Sequence, residues 1–358
     1  MNAQFTQHNL IFKQASGTSR GVLTTKETYL LEISENNKKG IGECAIFRGL
    51  SYDDVPDYEE KLTWLCENIH SDFEVLKKEL LHYPSIIFGL EQALLNLEHG
   101  EDLYFPSDFT DGKDSIKING LIWMGNADFM QSQIEEKLAK GFDCIKLKIG
   151  VDWKSEKEII KKLREKFPKE QLELRVDANG AFSYEEATIV LQELADLGIH
   201  SIEQPIKKSE VRSPKSEENS EKKSTDCCIP WNKMARLCAE TPTPIALDEE
   251  LIGIIDFEEK KKLLETIKPQ YIILKPALVG GFSGSDEWIA IAESLGINWW
   301  ITSALESNIG LNAICQYTYT KKNPLPQGLG TGALFTNNFE THLQLEGDQM
   351  WHKKTPYY

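Results

Sequence analysis

Short apolar runs recur along the chain from residue 116 onward and read as buried β-strands. They begin near Ile116, Cys144, Leu172, Ser201, Ile245, Tyr271, Asn298 and Gln327. Six of the seven intervals between them are 26 to 29 residues long. The residues between the runs carry the apolar period of amphipathic helices, for example at 184–197 and 257–267. The pattern predicts seven strand–helix units and a closing strand.

Regular alternation of strand and helix fits a barrel better than an open, doubly wound sheet. The fingerprint G-x-G-x-x-G, which marks a dinucleotide-binding sheet of the open type, does not follow an early strand. We therefore expect an α/β fold with a (β/α)7β barrel, a modified TIM barrel, over residues 111–335.

One interval, of 44 residues between the runs at Ser201 and Ile245, is longer than the others. It contains residues 207–228, which are rich in Lys, Ser and Glu and nearly free of apolar side chains. A segment of this composition cannot bury a core, so we expect a flexible surface insertion after the fourth strand.

Residues 1–110 do not share the repeat. Strand-like runs at 29–33 and 41–45 precede helical patterns at 58–69 and 85–98, which predicts a separate α+β domain. The segment 336–358 adds no further barrel unit, and we expect it to join that first domain.

The composition is that of a globular protein with room for two domains: 358 residues, 41% of them apolar and 27% charged. A formal net charge of −16 disfavours nucleic acid and anionic membranes, because affinity for both rests on Lys and Arg. We therefore expect a small-molecule partner, and an anionic one would need a local cation or a bound metal. The sequence leaves the oligomeric state open.

The first residues have neither a basic flank nor a long apolar run, and no stretch of about 18 apolar residues follows. We therefore expect a cytoplasmic protein. The seven cysteines lack C-x-x-C spacing, which predicts neither a disulfide framework nor a zinc site. The seven histidines also show no ligand or triad spacing, so we expect surface or structural roles for them.

Charged residues interrupt strands that should be apolar if both faces of a parallel sheet are covered. In the second strand, Lys146 and Lys148 alternate with aliphatic residues and therefore share one face. One interpretation is a wetter face from which both lysines reach solvent. The other is a general base, because adjacent ammonium groups lower each other's pKa and favour a neutral amine.

The next three strands each end in a carboxylate, at Asp177, Glu203 and Asp248, and Arg175 and Asn179 share the strand face of Asp177. A single carboxylate is commonly a helix cap or a salt bridge, but three at the C-terminal ends of barrel strands indicate an active site. Oxygen ligands without His or Cys suit a hard cation, Mg²⁺ before Zn²⁺, with Mn²⁺ as a substitute.

A further lysine, Lys275, follows the sixth strand, on the side of the barrel opposite Lys146 and Lys148. A metal flanked by lysines suits removal of a proton next to a carboxylate, because the metal stabilises the enediolate while a lysine takes the proton.

Five motifs in these strands resemble those of the enolase superfamily, in its muconate-lactonising-enzyme-like subgroup. They are K-x-K at 146–148, D-A-N at 177–179, E-Q-P at 203–205, D-E at 248–249 and L-K-P at 274–276. A Lys or His base acting with Mg²⁺ is typical of this superfamily. The resemblance implies a magnesium-dependent enzyme with its active site inside the barrel.

The resemblance also implies a role for each residue of the motifs. Asp177, Glu203 and Asp248 would bind Mg²⁺, Lys148 would be the acid and base, and Lys146 would tune it.

On the opposite side, Lys275 would stabilise the enediolate by its charge or act as a second base. The first domain would cap the barrel mouth, and the loop at 17–21 would close over substrate, with Ser19 and Arg20 as candidate contacts.

Within the subgroup, the sequence resembles the o-succinylbenzoate synthase family of menaquinone biosynthesis. Members of this family dehydrate 2-succinyl-6-hydroxy-2,4-cyclohexadiene-1-carboxylate to o-succinylbenzoate. The implied mechanism is a syn elimination in which one base, Lys148, removes the α-proton and returns it to the departing hydroxyl. Arg175 resembles the R-x-D of the family and would face the succinyl carboxylate.

Gly328 and Gly330 stand in the last strand, where dipeptide epimerases typically carry D-x-D to hold an ammonium group. Glycines would leave backbone N–H groups bare for a carboxylate instead. Ser303 and Ser307 on the preceding loop also resemble the synthases and would supply further donors.

Two alternative functions remain open from the residues. A racemase or epimerase of N-acylamino acids or dipeptides needs bases on both faces, which Lys148 and Lys275 would provide. A non-catalytic barrel protein would lack a lysine or a metal ligand, and all six are present.

Overall fold

The structure is a computed structural model that describes residues 1–18, 21–123, 125, 127–208 and 231–353. Ser19, Arg20 and all but the first two residues of the predicted insertion at 207–228 lie outside this described part.

The first domain is built on an antiparallel sheet that helices cover on one face. Its strands are β1 (Asn2–Thr18), β2 (Gly21–Glu35) and β3 (Lys38–Cys44), and its helices are α1 (Tyr58–Asn68), α2 (Phe73–Glu79) and α3 (Pro84–His99). Helix α3 lies directly on β3. The two backbones are so close that a Cβ atom at Gly42 would be only 1.9 Å from the carbonyl oxygen of Gly89. Glycine at these two positions is what allows the close approach.

After β4 (Ser115–Lys117), seven parallel strands curl into the barrel in chain order. They are β5 (Gly120–Ile122), β6 (Cys144–Lys148), β7 (Glu173–Asp177), β8 (Ser201–Glu203), β9 (Ile245–Leu247), β10 (Tyr271–Leu274) and β11 (Asn298–Ile301). Gln327 and Gly328 take the eighth position through parallel bridges to Ile118 and Thr302. The predicted modified TIM barrel with an N-terminal α+β domain is confirmed.

The helices that surround the barrel connect its strands. They are α4 (Ala127–Ala139), α5 (Trp153–Lys166), α6 (Tyr184–Asp196), α7 (Asn232–Glu240), α8 (Phe257–Ile267), α9 (Pro276–Val279), α10 (Gly281–Ser294) and α11 (Asn308–Lys321). Side chains of Asp152, Ser183, Asp256 and Ser307 accept backbone hydrogen bonds at the starts of four of them. These caps fix where the helices begin.

The first barrel strand begins at Gly120, not near Ile116 as the apolar run predicts. Ile116 belongs to β4, which pairs with the C-terminal hairpin of β12 (Leu343–Glu346) and β13 (Gln349–His352). One apolar stretch thus contains two strands, β4 and β5, which belong to different sheets.

The C-terminal segment contacts both parts of the molecule. Thr336 donates a backbone hydrogen bond to Ile11 of β1, whereas β12 and β13 extend the small sheet at β4. We propose a capping domain at 1–110 and a barrel at 111–335, as the sequence suggests, with the tail from residue 336 to 353 joined to both and not to the first domain alone.

The five described cysteines are free: Cys44, Cys66, Cys144, Cys238 and Cys315. Among the described residues, no helix is long and apolar enough to cross a bilayer.

Candidate active site

Strand pairing brings the predicted charges together at the C-terminal end of the barrel. Lys148, Asp177 and Glu203 are register partners on β6, β7 and β8, and Asp248 and Lys275 directly follow β9 and β10. None of these five side chains is more than 13% exposed. Three carboxylates therefore lie between lysines in a site largely shielded from water.

Each lysine pairs with a carboxylate. The Nζ atom of Lys146 lies 2.7 Å from Oε2 of Glu203 and 3.7 Å from Oδ2 of Asp177. Lys148 lies 3.3 Å from the same Asp177 oxygen, and Lys275 hydrogen-bonds Asp248. Every one of the three lysines thus has a carboxylate neighbour.

Burial and neighbouring charge shift the pKa values of the carboxyl groups in different directions. Burial would raise the pKa of Asp177, but Lys148 and Lys146 outweigh it and lower that pKa to about 2. Burial, followed by the charge of Asp177, raises the pKa of Glu203 to about 7, and burial also raises the pKa of Asp248. Asp177 is therefore the most firmly ionised of the three.

The expectation that the paired lysines lower each other's pKa is wrong for Lys146. Burial lowers its pKa, but Glu203 and Asp177 raise it more, so the net shift is upward. The two carboxylates are closer to Lys146 than the sequence pattern revealed, and their charge determines the direction of its pKa shift.

The three carboxylates fit a hard divalent cation. All donors are oxygens, and Oε1 of Glu203 is buried without a hydrogen-bond partner among the described residues, with the Lys275 ammonium 3.8 Å away. A buried carboxylate oxygen without a donor favours binding of a cation.

Asn179 and Gln204 hold the charged groups in place, and both adopt positive φ angles, 44° and 40°. The Oδ1 atom of Asn179 accepts a hydrogen bond from Lys148 at 2.7 Å. The Oε1 atom of Gln204 accepts one from the backbone N–H of Asp248 at 3.2 Å. The sequence motifs D-A-N and E-Q-P include both residues, but only the structure shows what they support.

An open cavity lies above these groups. Its lining includes eight residues that the sequence predicted for the site: Lys146, Lys148, Asp177, Asn179, Lys275, Ser303, Gly328 and Gly330. It also includes residues not predicted: Asn119, Leu121, Glu249, Thr302, Ala304, Leu305 and Thr331.

The first domain contributes Phe47 and Leu50 to the cavity wall. They follow β3, and no charge or motif in the sequence distinguishes them. Trp123 completes the apolar part, with its ring centre 5.9 Å from the Lys148 ammonium. The cavity thus joins an apolar wall to a charged floor.

Arg175 does not line the cavity, so its predicted role as a substrate contact is not supported. Its guanidinium donates to Glu173 at 2.7 Å and to the carbonyl of Pro326 at 2.9 Å, and it lies 4.1 Å from the ring centre of Trp300. Arg175 shares the strand face of Asp177 but is two residues deeper in the barrel. Its contacts hold it inside the barrel, below the cavity lining.

Two further predicted contacts have other roles. Ser307 is fully buried, caps α11 and donates its hydroxyl to Oε2 of Glu43 at 2.6 Å. The N–H of Gly328 is not bare, because it donates to the carbonyl of Ile301 at 2.8 Å. Ser303 lies in the lining, and its hydroxyl is 2.5 Å from that of Thr331.

Comparison with known protein families gives evidence that is independent of the geometry of the site. The family described as "Enolase C-terminal domain-like" matches residues 130–216 and 226–351, and the family "MenC, N-terminal domain" matches residues 3–97. The two matches together cover both parts of the molecule.

Individual relatives agree with the family matches. The chain is 41% identical to the o-succinylbenzoate synthase of Desulfotalea psychrophila over 97% of its own length and 98% of the relative's. The crystal structure of MenC from Desulfotalea psychrophila superposes with a TM-score of 0.82 at 39% identity, covering 98% and 99% of the two chains.

A dipeptide epimerase from Enterococcus faecalis, crystallised with Mg and the dipeptide L-Leu-L-Tyr, shares the fold with a TM-score of 0.78. It covers 98% of this chain and 96% of its own, but only 18% of the residues are identical. This likeness extends to the fold and carries no statement about substrate.

Proposed function

We propose that this chain, which belongs to the o-succinylbenzoate synthase family of the enolase superfamily, dehydrates 2-succinyl-6-hydroxy-2,4-cyclohexadiene-1-carboxylate to o-succinylbenzoate in menaquinone biosynthesis. The observation that carries the proposal is 41% identity to a synthase along nearly the whole of both chains. The lysines and carboxylates gathered at the barrel mouth supply the groups that the reaction needs.

Lys148 is the proposed acid and base. As a neutral amine it removes the proton on the carbon next to the ring carboxylate, and it then returns that proton to the hydroxyl, which leaves as water. A double bond forms and completes the aromatic ring. Asn179 supports this role because it fixes the Nζ atom at 2.7 Å.

Asp177, Glu203 and Asp248 would hold a divalent cation, Mg²⁺ by the chemistry of an oxygen-only donor set. When bound, this cation stabilises the negative charge that develops on the substrate carboxylate as the proton leaves. Lys275, on the other side of the carboxylates, adds positive charge at the same place without moving a proton. Lys146, paired with Glu203 and Asp177, keeps these ligands oriented.

The lining favours an organic acid with an apolar ring. Phe47, Leu50 and Trp123 offer an apolar wall, and the floor carries three lysines. The cavity has no acidic side chain at Gly328 or Gly330 that would attract an ammonium group.

One observation favours a second activity, racemisation of N-acylamino acids. Lys148 and Lys275 flank the carboxylates on opposite sides, which is the arrangement that two-base racemisation needs. This activity would accompany the dehydration and would not replace it.

The test is to mix purified protein with Mg²⁺ and the cyclohexadiene substrate and to follow the loss of its absorbance. We expect rapid loss that disappears with a chelator and in Lys148→Ala. Lys140→Ala is the matched control, because Lys140 is an exposed lysine that pairs with Glu136 on the outer surface. If the wild-type protein binds Mg²⁺ but does not consume the substrate, the proposal is wrong.

A further inference from the structure

A second cluster of ionisable side chains lies outside the barrel mouth, where the C-terminal hairpin meets the segment after α3. His342 immediately precedes β12, His352 ends β13, and Asp102 follows α3. The sequence spacing of the histidines gave no sign of a ligand set, because His342 and His352 are 240 and 250 positions away from Asp102.

The ligand atoms of these residues converge. Oδ2 of Asp102 lies 2.5 Å from Nδ1 of His342 and 3.1 Å from Nε2 of His352, and all three ligand atoms lie within 4.8 Å of one another. Among the described residues, these three side chains have ligand atoms close enough together to share a metal ion by this criterion. The barrel carboxylates do not meet the same criterion.

The backbone around the cluster is held rigidly. The carbonyl of Asp102 accepts hydrogen bonds from Asn312 at 2.9 Å and Gln316 at 2.8 Å, which anchor it to α11. The carbonyl of His342 accepts one from the N–H of Lys353 at 2.8 Å, which fixes the end of the hairpin. A site on rigid elements keeps its ligand geometry when a metal arrives.

One buried atom of the cluster points to a missing partner. Oδ1 of Asp102 is buried without a hydrogen-bond partner among the described residues, although Oδ2 hydrogen-bonds to both imidazole rings. His352 is fully buried, whereas Asp102 and His342 have side chains that are each 28% exposed. A metal ion could therefore take Oδ1 or Oδ2 and still reach water for its remaining position.

We propose that Asp102, His342 and His352 form a second metal site, selective for Zn²⁺ or a similar transition-metal ion. Two imidazole nitrogens and one carboxylate suit such ions, whereas the oxygen-only set in the barrel suits Mg²⁺. The ion would fasten the C-terminal hairpin to the segment after α3, and none of its three ligands lines the active-site cavity. The proposal does not depend on the proposed function.

The surroundings of His352 limit the affinity. When its Nε2 binds a metal, the ring carries its proton on Nδ1, and Nδ1 is buried without a partner among the described residues. A buried N–H group without an acceptor weakens binding by about ten- to a hundredfold. We therefore expect affinity in the micromolar range rather than the tighter binding of zinc-finger sites.

The experiment titrates chelator-treated, full-length protein with Zn²⁺ against a chromophoric chelator, in excess Mg²⁺ to occupy the barrel carboxylates. We expect one Zn²⁺ per chain for the wild type and for Asp177→Asn, which removes a barrel ligand. We expect at least tenfold weaker binding for His342→Ala and Asp102→Asn. Co²⁺ in place of Zn²⁺ should give visible absorption bands typical of nitrogen ligands, and these should be lost in the same two variants.

Two outcomes would overturn the proposal. One is a wild type that binds no Zn²⁺ under these conditions, which would leave the cluster as a hydrogen-bonded clasp. The other is Zn²⁺ binding that survives in His342→Ala and Asp102→Asn but is lost in Asp177→Asn. Circular dichroism of each variant checks folding, and the partial exposure of His342 and Asp102 favours folded variants.

Discussion

Asn179 holds the amine of Lys148, because its Oδ1 accepts a hydrogen bond from Nζ at 2.7 Å. In Asn179→Ala the amine loses this partner and turns toward Asp177, which lies 3.3 Å away. We expect kcat to fall by about ten- to a hundredfold, with a smaller change in KM, because the base is misplaced while the apolar wall is intact.

Steady-state kinetics with the cyclohexadiene substrate measure this effect. Lys140→Ala is the control, because Lys140 is exposed, pairs with Glu136 and does not line the cavity. An unchanged kcat in Asn179→Ala would show that Lys148 needs no such support.

Lys146 neutralises buried carboxylates, so its removal should cost stability. Lys146→Met keeps the length of the side chain but leaves Glu203 and Asp177 without their shared cation. We expect the free energy of unfolding to fall by about 3–5 kcal/mol in chelator, and added Mg²⁺ should restore part of the loss.

Urea unfolding with and without Mg²⁺ measures both effects. Lys140→Met breaks an exposed pair with Glu136, and we expect a change of less than about 1 kcal/mol there. Equal losses in the two variants would contradict a charge-balancing role for Lys146.

The two glycines at the last barrel position should respond differently to substitution. A Cβ atom at Gly330 would lie 3.6 Å from its nearest neighbour, a methyl group of Ile118, whereas one at Gly328 would lie 2.3 Å from the Thr302 hydroxyl. We therefore expect Gly330→Asp to fold and Gly328→Ala to be destabilised.

In Gly330→Asp, a carboxylate would face the carboxylate of the substrate, so we expect KM to rise by about tenfold or more. Gly330→Asn is the control of equal size without charge. Equal KM values for the two variants would exclude electrostatic repulsion at this position.

Glu91 should make the stability of the protein depend on pH. Burial raises its pKa to about 7, although the N–H groups of Phe282 and Ser283 donate to it and oppose the shift. Because the folded pKa lies above the unfolded value of 4.5, the native state binds more protons between these values. The contribution of Glu91 is therefore fully present below about pH 4.5 and is lost as pH rises through 7.

In Glu91→Gln the titrating group is removed. We therefore expect the free energy of unfolding to fall less steeply between pH 5 and 7 than in the wild type, and the two slopes should differ by up to about 1.4 kcal/mol per pH unit. Guanidinium unfolding at several pH values measures the slope. Glu98→Gln, an exposed position on the same helix α3, should keep the wild-type slope. An unchanged slope in Glu91→Gln would contradict the shift.

The strands of the barrel could be predicted because a buried strand reads as an apolar run, whichever strands it pairs with. Strand β1 could not, because its exposed, mixed residues give no apolar run. Nor could the break between β4 and β5, since periodicity does not show where a chain leaves one sheet and enters another.

The charged floor of the site could be predicted because strand period fixes the face of each side chain. Period does not fix depth: Arg175 shares the face of Asp177 but lies two residues, roughly 7 Å, further into the barrel. Phe47 and Leu50 were missed for another reason, since their place in the wall depends on how one domain packs against the other.

Glu43 links the two domains at the start of α11. This fully buried carboxylate of β3 accepts hydrogen bonds from the N–H and hydroxyl of Ser307 and from the N–H of Gly310. The first turn of a barrel helix is therefore capped by a residue from another domain, and the barrel made alone would lose this acceptor for its Ser307 and Gly310 donors. During evolution, exchange of the capping domain for that of a relative would succeed only where the incoming domain carries an acceptor at the same position.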